Sequence, residues 1–226
     1  MQLWEQLFVV KKNQIRMMQR RGYTVPDAAL LDYTYAQFEA YYKQVLASTE
    51  GQPSIDLFDV LTTEIETPRL ALVWYTPQQS RDIPVEDIRD IVAHATEDDG
   101  SLRNYRTVII ISSGKMSTKI AQHVDILEQL NYQHFTYQEL MYDPTHHFLY
   151  VPHTRLRSKE EKAFFASTKI QASQLPTLLS SDAIVKYHGW PVNSVIRIQR
   201  TSIVGTLSAE SVFYRRVVQA PVKGEK

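Results

Sequence analysis

Between residues 70 and 137 the chain alternates short apolar runs with amphipathic segments of about a dozen residues, and this alternation constrains the fold more than any other feature. Leu70-Ala71-Leu72-Val73-Trp74-Tyr75, bounded by Pro68 and Pro77, and Val108-Ile109-Ile110-Ile111 are apolar at every position. A strand of that kind has to be covered on both faces, the condition met by a parallel sheet clad with helices. The covering helices are predicted over Pro84–Ala95, with Ile88, Ile91, Val92 and Ala95 on one side, and over Ser117–Leu130, with Ile120, Val124 and Leu127 inward. Phe135-Thr136-Tyr137 begins a third short strand. The expected class is α/β, or α+β over the whole chain, with a mainly parallel, helix-covered sheet.

A helical hairpin precedes this sheet. Trp4, Leu7, Phe8, Ile15 and Met18 recur at helical spacing, and Arg20-Arg21-Gly22 places cations and a glycine at the end. After Pro26-Asp27, the residues Ala28, Leu31, Tyr35, Phe38, Tyr42 and Val45 form one aromatic-rich stripe, read as a single second helix that stops near Ser48–Pro53. Beyond Tyr142-Asp143-Pro144-Thr145 the pattern changes. Ser158-Lys159-Glu160-Glu161 reads as a capping box, Asp182 caps another helix that ends at His188-Gly189, and strands at Val195–Ile198 and Val212–Val218 are joined through a loop at Thr201–Ala209. The predicted organisation is residues 1–145, residues 146–220 as a small separate α/β domain, and a loose tail at 221–226.

Charge divides along the same line. The chain holds 25 Lys+Arg and 25 Asp+Glu, but residues 1–146 carry 13 and 20 of these and residues 147–226 carry 12 and 5. Net charges of −7 and +7 imply either different neighbours for the two halves or attraction between them, and composition leaves both open. With 0 Cys, disulfides, thiolate metal sites and cysteine nucleophiles are excluded. The start Met1-Gln2-Leu3-Trp4-Glu5 lacks a basic region leading into an apolar stretch, so an intracellular, soluble chain is expected.

Sites that carry chemistry are scarce. Ser112-Ser113-Gly114-Lys115-Met116-Ser117 stands where a strand hands over to a helix, but Ile109 occupies the first glycine position of a nucleotide loop and Met116 follows the lysine. What survives is a generic anion turn of Lys115, Ser117, Thr118 and Lys119, with an ordinary strand–helix turn as the alternative. His146, His147 and His153 lack an accompanying carboxylate motif, so no metal is expected. Asp82, Glu86, Asp87 and Asp90, with Glu97-Asp98-Asp99, read as an exposed helix face, and Glu160-Glu161-Lys162 as a solvated first turn. Lys11, Lys12, Arg16, Arg20 and Arg21 make the first helix basic, read as a solvated face with contact to phosphate or an acidic protein as the alternative. Nothing here demands catalysis, and no cofactor is expected.

Several spaced fragments resemble the fifth-largest common subunit of eukaryotic nuclear DNA-directed RNA polymerases, a family with an archaeal counterpart. They are Leu3-Trp4, Arg21-Gly22-Tyr23-x-Val25, Val108–Ile111, Gly114 with Met116, and Glu139-Leu140, then His147-x-Leu149, Val151-Pro152-His153, Gln174-Leu175-Pro176, Asp182, Tyr187-x-Gly189 and Tyr214-Arg215 with Val217. The resemblance implies a non-catalytic, structural polymerase subunit in the nucleus, with an N-terminal jaw domain reaching toward downstream duplex DNA and a C-terminal assembly domain docked on the largest subunit. By position it places Lys115, Ser117, Thr118 and Lys119 near DNA. It places His147, Pro152, Gln174, Leu175, Pro176, Asp182, Tyr187, Gly189, Arg200, Tyr214 and Arg215 at the interface with other subunits.

Departures from the family pattern fall in contact loops. Ala183 replaces a proline, Trp190-Pro191-Val192-Asn193 stands for a basic turn, Arg200-Thr201-Ser202-Ile203-Val204-Gly205 replaces the usual signature, and residues 206–211 read as extra loop. A shared subunit has to fit several polymerases at once. Altered contact loops therefore suggest a class-specific paralogue, with RNA polymerase I and the nucleolus as the specific expectation. Two alternatives differ in class: a metal-dependent nuclease using Asp56, Asp59, Glu64 and Glu66, and a free-standing transcription adaptor.

Overall fold

The computed structural model describes residues 3–48, 59–62, 70–76, 83, 85–95, 105–114, 132–204 and 207–221. The chain packs as two compact units, Met1–Tyr142 and Asp143–Lys226.

The first unit is built on a five-stranded sheet of β1 (Tyr23–Thr24), β2 (Asp59–Thr62), β3 (Leu70–Thr76), β4 (Tyr105–Ser112) and β5 (Gln133–Thr136), in that spatial order. β3, β4 and β5 are parallel to one another, whereas β1 and β2 run antiparallel at the β3 edge. The sheet is therefore mixed, and its antiparallel edge, Tyr23-Thr24 and Asp59-Val60-Leu61-Thr62, carries too short an apolar run to be read as strand from the sequence. Leu72 faces Val108 and Trp74 faces Ile110 across the ladder. These residues pack with Ile83 and with Ile88, Ile91 and Val92 of helix α3 (Val85–Ala95). The alternate positions Val73, Tyr75, Ile109 and Ile111 are also buried. This second burial is what distinguishes a helix-clad strand from a half-exposed one.

Helix α1 (Leu3–Arg20) covers the Tyr75 face: Tyr75 Oη donates to Gln14 Oε1 at 3.1 Å, and Lys11 Nζ lies 5.2 Å from the centre of the Tyr75 ring. Asn13 Nδ2 donates to the carbonyl of Leu140 at 2.9 Å and ties α1 to the short helix α4 (Tyr137–Leu140). Removing that amide would leave a buried carbonyl unsatisfied, at about 1–3 kcal/mol. Past the end of α1, Gly22 takes φ +86°, a conformation that favours glycine.

Three local expectations are corrected. The aromatic stripe is a 3-10 turn, Pro26–Asp32, followed by helix α2 (Tyr35–Ser48). The break is set by a capping box at Thr34, whose amide donates to Gln37 Oε1 and whose hydroxyl accepts from the Gln37 amide. Tyr137 opens α4 instead of extending β5, because Thr136 and Glu139 form a second capping box there. The cations of α1 are not a solvated face. Lys11 is 1% exposed, Lys12 donates to the Tyr33 carbonyl and sits over the Phe8 ring, Arg16 donates to Asn13, and Arg21 sits over the Phe135 ring; Arg20 is exposed. Aromatic neighbours turn these charges inward. The predicted helix over Ser117–Leu130 lies outside the described residues.

The second unit has a four-stranded sheet of β6 (His153–Arg155), β7 (Thr177–Leu179), β8 (Val195–Val204) and β9 (Leu207–Val218), ordered β6-β8-β9-β7. Helix α6 (Ala183–His188) covers one face, where Val185 packs with Ile196, Ile198 and Val217. Helix α5 (Ser158–Thr168) covers the other, where Phe164 and Phe165 pack on Leu156, Leu175 and Val195. The cap of α5 is Arg157, whose amide donates to Glu160 Oε2, so the capping box begins one residue earlier than Ser158. The expected loop at Thr201–Ala209 is replaced by paired strand, with Thr201 opposite Glu210, Ser202 opposite Ala209, Ile203 opposite Ser208 and Val204 opposite Leu207. The extra-loop reading of 206–211 fails for the same reason from Leu207 onward. At the end of the described chain, the Ala220 amide donates to Ser180 Oγ.

Burial raises the hydroxyl pKa of Tyr75 well above the ordinary 10.0, helped by neighbouring Tyr42 and Tyr137, and burial alone raises that of Tyr137. Both phenols hold their protons in the folded state after the unfolded chain has lost them. Stability from these groups is therefore complete below pH ~10 and falls above it by about 1.4 kcal/mol per group per pH unit. Urea denaturation followed by tryptophan fluorescence at pH 8, 10 and 11 is expected to show a constant midpoint up to ~10 and a steep decline beyond it.

Candidate subunit interface

The residues expected at the interface fall in three places on the second unit. At the β7 edge, Gln174 Oε1 accepts from the Gln171 amide at 2.8 Å and closes a 3-10 turn, and the Pro176 carbonyl accepts from the Arg216 amide at 2.9 Å. Arg215 Nη1 donates to the Thr177 carbonyl at 3.2 Å, and the Tyr214 ring stacks on Phe164 at 4.2 Å. Gln174, Pro176, Tyr214 and Arg215 are thereby brought to one edge. Leu175, between two of them, points into the core.

Around α6, Asp182 Oδ1 accepts from the Ile184 and Val185 amides, at 2.9 and 3.3 Å. Gly189 takes φ +64° at the opposite end and donates to the Lys186 carbonyl at 3.1 Å. An anionic cap at the N-terminus and a left-handed glycine past the C-terminus define this six-residue helix. Tyr187 is buried, with its ring edge-on to His188. Asp182, Tyr187 and Gly189 thus shape the surface from beneath. The Trp190 that replaces a basic turn lies flat on His188, ring centres 4.5 Å apart.

At the β6 side, the Pro152 carbonyl accepts from the Gln199 amide at 3.0 Å, and the next residue, Arg200, holds its guanidinium 5.3 Å over the Phe213 ring. Close in sequence to Pro152, His147 Nδ1 accepts from the Leu149 amide at 3.2 Å and its ring packs on Phe148. Phe148 is 87% exposed and Leu149 69%. Sequence reasoning misses Phe148, although His147-Phe148-Leu149 directly follows a Pro-led turn capped by Asp143 and lacks helical or strand periodicity. Adjacent large apolar side chains held in water by ordered backbone mark contact sites.

Lys115, Ser117, Thr118 and Lys119 lie outside the described residues. The strand that leads to them ends at Ser112, which is buried and whose hydroxyl donates to the Gly114 carbonyl at 2.8 Å and contacts His134 Nε2 at 2.7 Å. Of the carboxylates proposed for a nuclease, Asp59 begins β2, while Asp56, Glu64 and Glu66 lie outside the described residues. Among the described residues no three of His, Asp or Glu group as metal ligands, and no helix is long and apolar enough to cross a membrane.

Comparison with known proteins places this unit. Residues 142–217 match the family described as RNA polymerase Rpb5, C-terminal domain. Over 212 residues the chain is 24% identical to subunit RPABC1 of DNA-directed RNA polymerases I, II and III of Caenorhabditis elegans, covering 94% of this chain and 95% of the relative. It is 22% identical over 212 residues to DNA-directed RNA polymerase V subunit 5A of Arabidopsis thaliana, covering 93% and 87%. Over 75 residues it is 29% identical to RPABC1 of Dictyostelium discoideum, covering 33% of this chain and 38% of the relative.

The second unit is similar to the Rpb5 C-terminal domain, and the chain as a whole is similar to polymerase subunits of that kind.

The Rpb5 C-terminal match begins at Tyr142, one residue before the second compact unit, and ends one residue short of the end of β9. Every residue expected at a subunit interface falls within it, and Lys115, Ser117, Thr118 and Lys119 fall outside. Asp182→Ala is expected to lower the stability of the full chain by about 1 kcal/mol, and Asp182→Asn, which can still cap, by much less. Urea denaturation of the two variants beside the parent checks this.

Proposed function

We propose that this chain is a non-catalytic structural subunit of a nuclear DNA-directed RNA polymerase. The single observation that carries the reading is the match of residues 142–217 to the Rpb5 C-terminal domain, within a similarity to polymerase subunits that runs along nearly the whole chain. Under this reading the C-terminal unit is the anchor on the largest subunit. Support comes from its charge balance of 12 Lys+Arg to 5 Asp+Glu over residues 147–226, and from the exposed Phe148 and Leu149, which a protein partner would cover.

The N-terminal unit is placed beside downstream DNA as a jaw. Its net charge of −7 over residues 1–146 disfavours a strong grip, since nonspecific affinity grows with the number of phosphates neutralised by Lys and Arg. Contact would be local, through Lys115 and Lys119 with Ser117 and Thr118. The replaced contact loops at Trp190–Asn193 and Arg200–Gly205 favour a version dedicated to one polymerase class, RNA polymerase I, and hence the nucleolus. Serving several classes at once would restrain such changes.

Affinity purification of the tagged full chain, with subunit identification, tests both levels. Polymerase subunits dominated by one class of largest subunit are the expected result. Equal recovery of the largest subunits of all three classes would remove the class-specific reading, and recovery of none would remove the subunit reading. The double variant Lys115→Glu, Lys119→Glu is expected to co-purify unchanged while its cross-links to downstream DNA fall.

A further inference from the structure

The hairpin of β8 and β9 is longer than the sheet that holds it. β6 pairs with β8 only at Ile196, Arg197 and Ile198, and β7 pairs with β9 only at Arg216, Val217 and Val218. Beyond Gln199 the two strands continue as a ribbon of five pairs, from Arg200 opposite Ser211 to Val204 opposite Leu207, with no third strand among the described residues. A two-stranded ribbon is marginal in water without a further strand or a covering layer. From Thr201 to Val204 its β8 edge carries no charge and no proline, the features that usually protect an open edge.

The direction of its bonding groups follows from the strand repeat. The Val195 carbonyl accepts from the Leu156 amide, and the Gln199 amide donates to the Pro152 carbonyl, so both residues turn their bonding groups toward the β6 side. With a period of two, Thr201 and Ile203 present theirs on the same side, beyond the point where Pro152 ends the β6 pairing. The opposite edge, on β9, includes Glu210, whereas Arg200 opens the β8 edge and no carboxylate lies between it and Val204.

From this we infer that the β8 edge at Arg200–Val204 is a docking edge for an extended segment of another polymerase subunit, one that adds a strand along Thr201–Val204 and sets a carboxylate beside Arg200. Main-chain hydrogen bonds supply the attachment, and the charge pairing fixes direction and register. Val212 and Phe213, each 47% exposed at the root of the ribbon, offer apolar cover on its two faces. The inference deepens the proposed function and rests on it.

The test uses polymerase particles purified through the tagged full chain, with a benzophenone cross-linker carried at position 202. Cross-linked peptides from an acidic, extended segment of another subunit are expected, together with hydrogen exchange at Thr201 and Ile203 at least about ten times slower in the particle than in the free chain. Ile203→Pro removes an outward N–H and none of the hairpin's own bonds, so it is expected to weaken recovery of the cross-linked subunit roughly three- to tenfold, the worth of one hydrogen bond. Cross-links only to a second copy of this chain would overturn the inference. So would unchanged exchange at Thr201 and Ile203 in a particle that contains the other polymerase subunits. Absence of those subunits from the purified material would instead remove the proposed function itself.

Discussion

The ladder between β8 and β9 is the constraint on which the C-terminal unit depends. Both strands are interior to the sheet, and each apolar cluster of the unit takes residues from one face of this pair: Ile196, Ile198 and Val217 toward α6, Val195 and Tyr214 toward α5. A slip of one residue would exchange those sets, moving Ile196 and Ile198 out of the α6 layer and Arg197 into it. The register is held at its inner end by bonds beyond the strands, since the Asn193 amide donates to the Val217 carbonyl and the Val217 amide to the Ser194 carbonyl. The caps of α6 act on the same layer, because Asp182 and Gly189 fix the length of the helix that brings Val185 over Ile196.

The fold was legible wherever one residue pattern had only one physical use. Leu70–Tyr75 and Val108–Ile111, apolar on both faces, had to lie within a covered sheet, and Asp182 with Gly189 bracket a helix by side-chain acceptance and left-handed geometry. It was illegible where pairing was supplied by a distant partner. β6 is His153-Thr154-Arg155, three polar residues whose strand geometry comes from β8, and in the same way β2 depends on β3 and β1 on β2. The stretch Thr201–Ala209 reads as loop by composition because Ser and Thr recur in it beside Gly205 and favour turns, yet the ladder runs nearly to its tip. Capping displaced boundaries by single residues, as at Arg157, because any residue can offer the backbone amide that Glu160 accepts.

The candidate interface rests on resemblance, which gives positions along the chain and not the orientation of side chains. Resemblance names Leu175 and Tyr187 but says nothing of burial, and both side chains face the core. Their neighbours Gln174 and Pro176 are exposed, Arg215 is half-buried and bonded to the Thr177 carbonyl, and Tyr214 is half-buried against Phe164. Phe148 was illegible because an exposed aromatic has no sequence period, and only the ordered turn after Asp143 shows it standing in solvent.

The first helix carries the same lesson into the question of charge. Five cations within eleven residues look like a nucleic-acid contact until their surroundings are known. Lys11 is enclosed against Tyr75, Lys12 against Phe8 and the Tyr33 carbonyl, and Arg21 against Phe135 and Met17, so these groups brace the helical layer over the sheet. A cation enclosed in this way is poorly placed to displace counterions from a phosphate backbone, since doing so would strip it from its aromatic partner. The formal count of 13 Lys+Arg in residues 1–146 therefore overstates what that region can offer to DNA. Of the α1 cations Arg20 is the exposed one, so the acidity of the region, more than its basic first helix, governs how firmly it could hold a duplex.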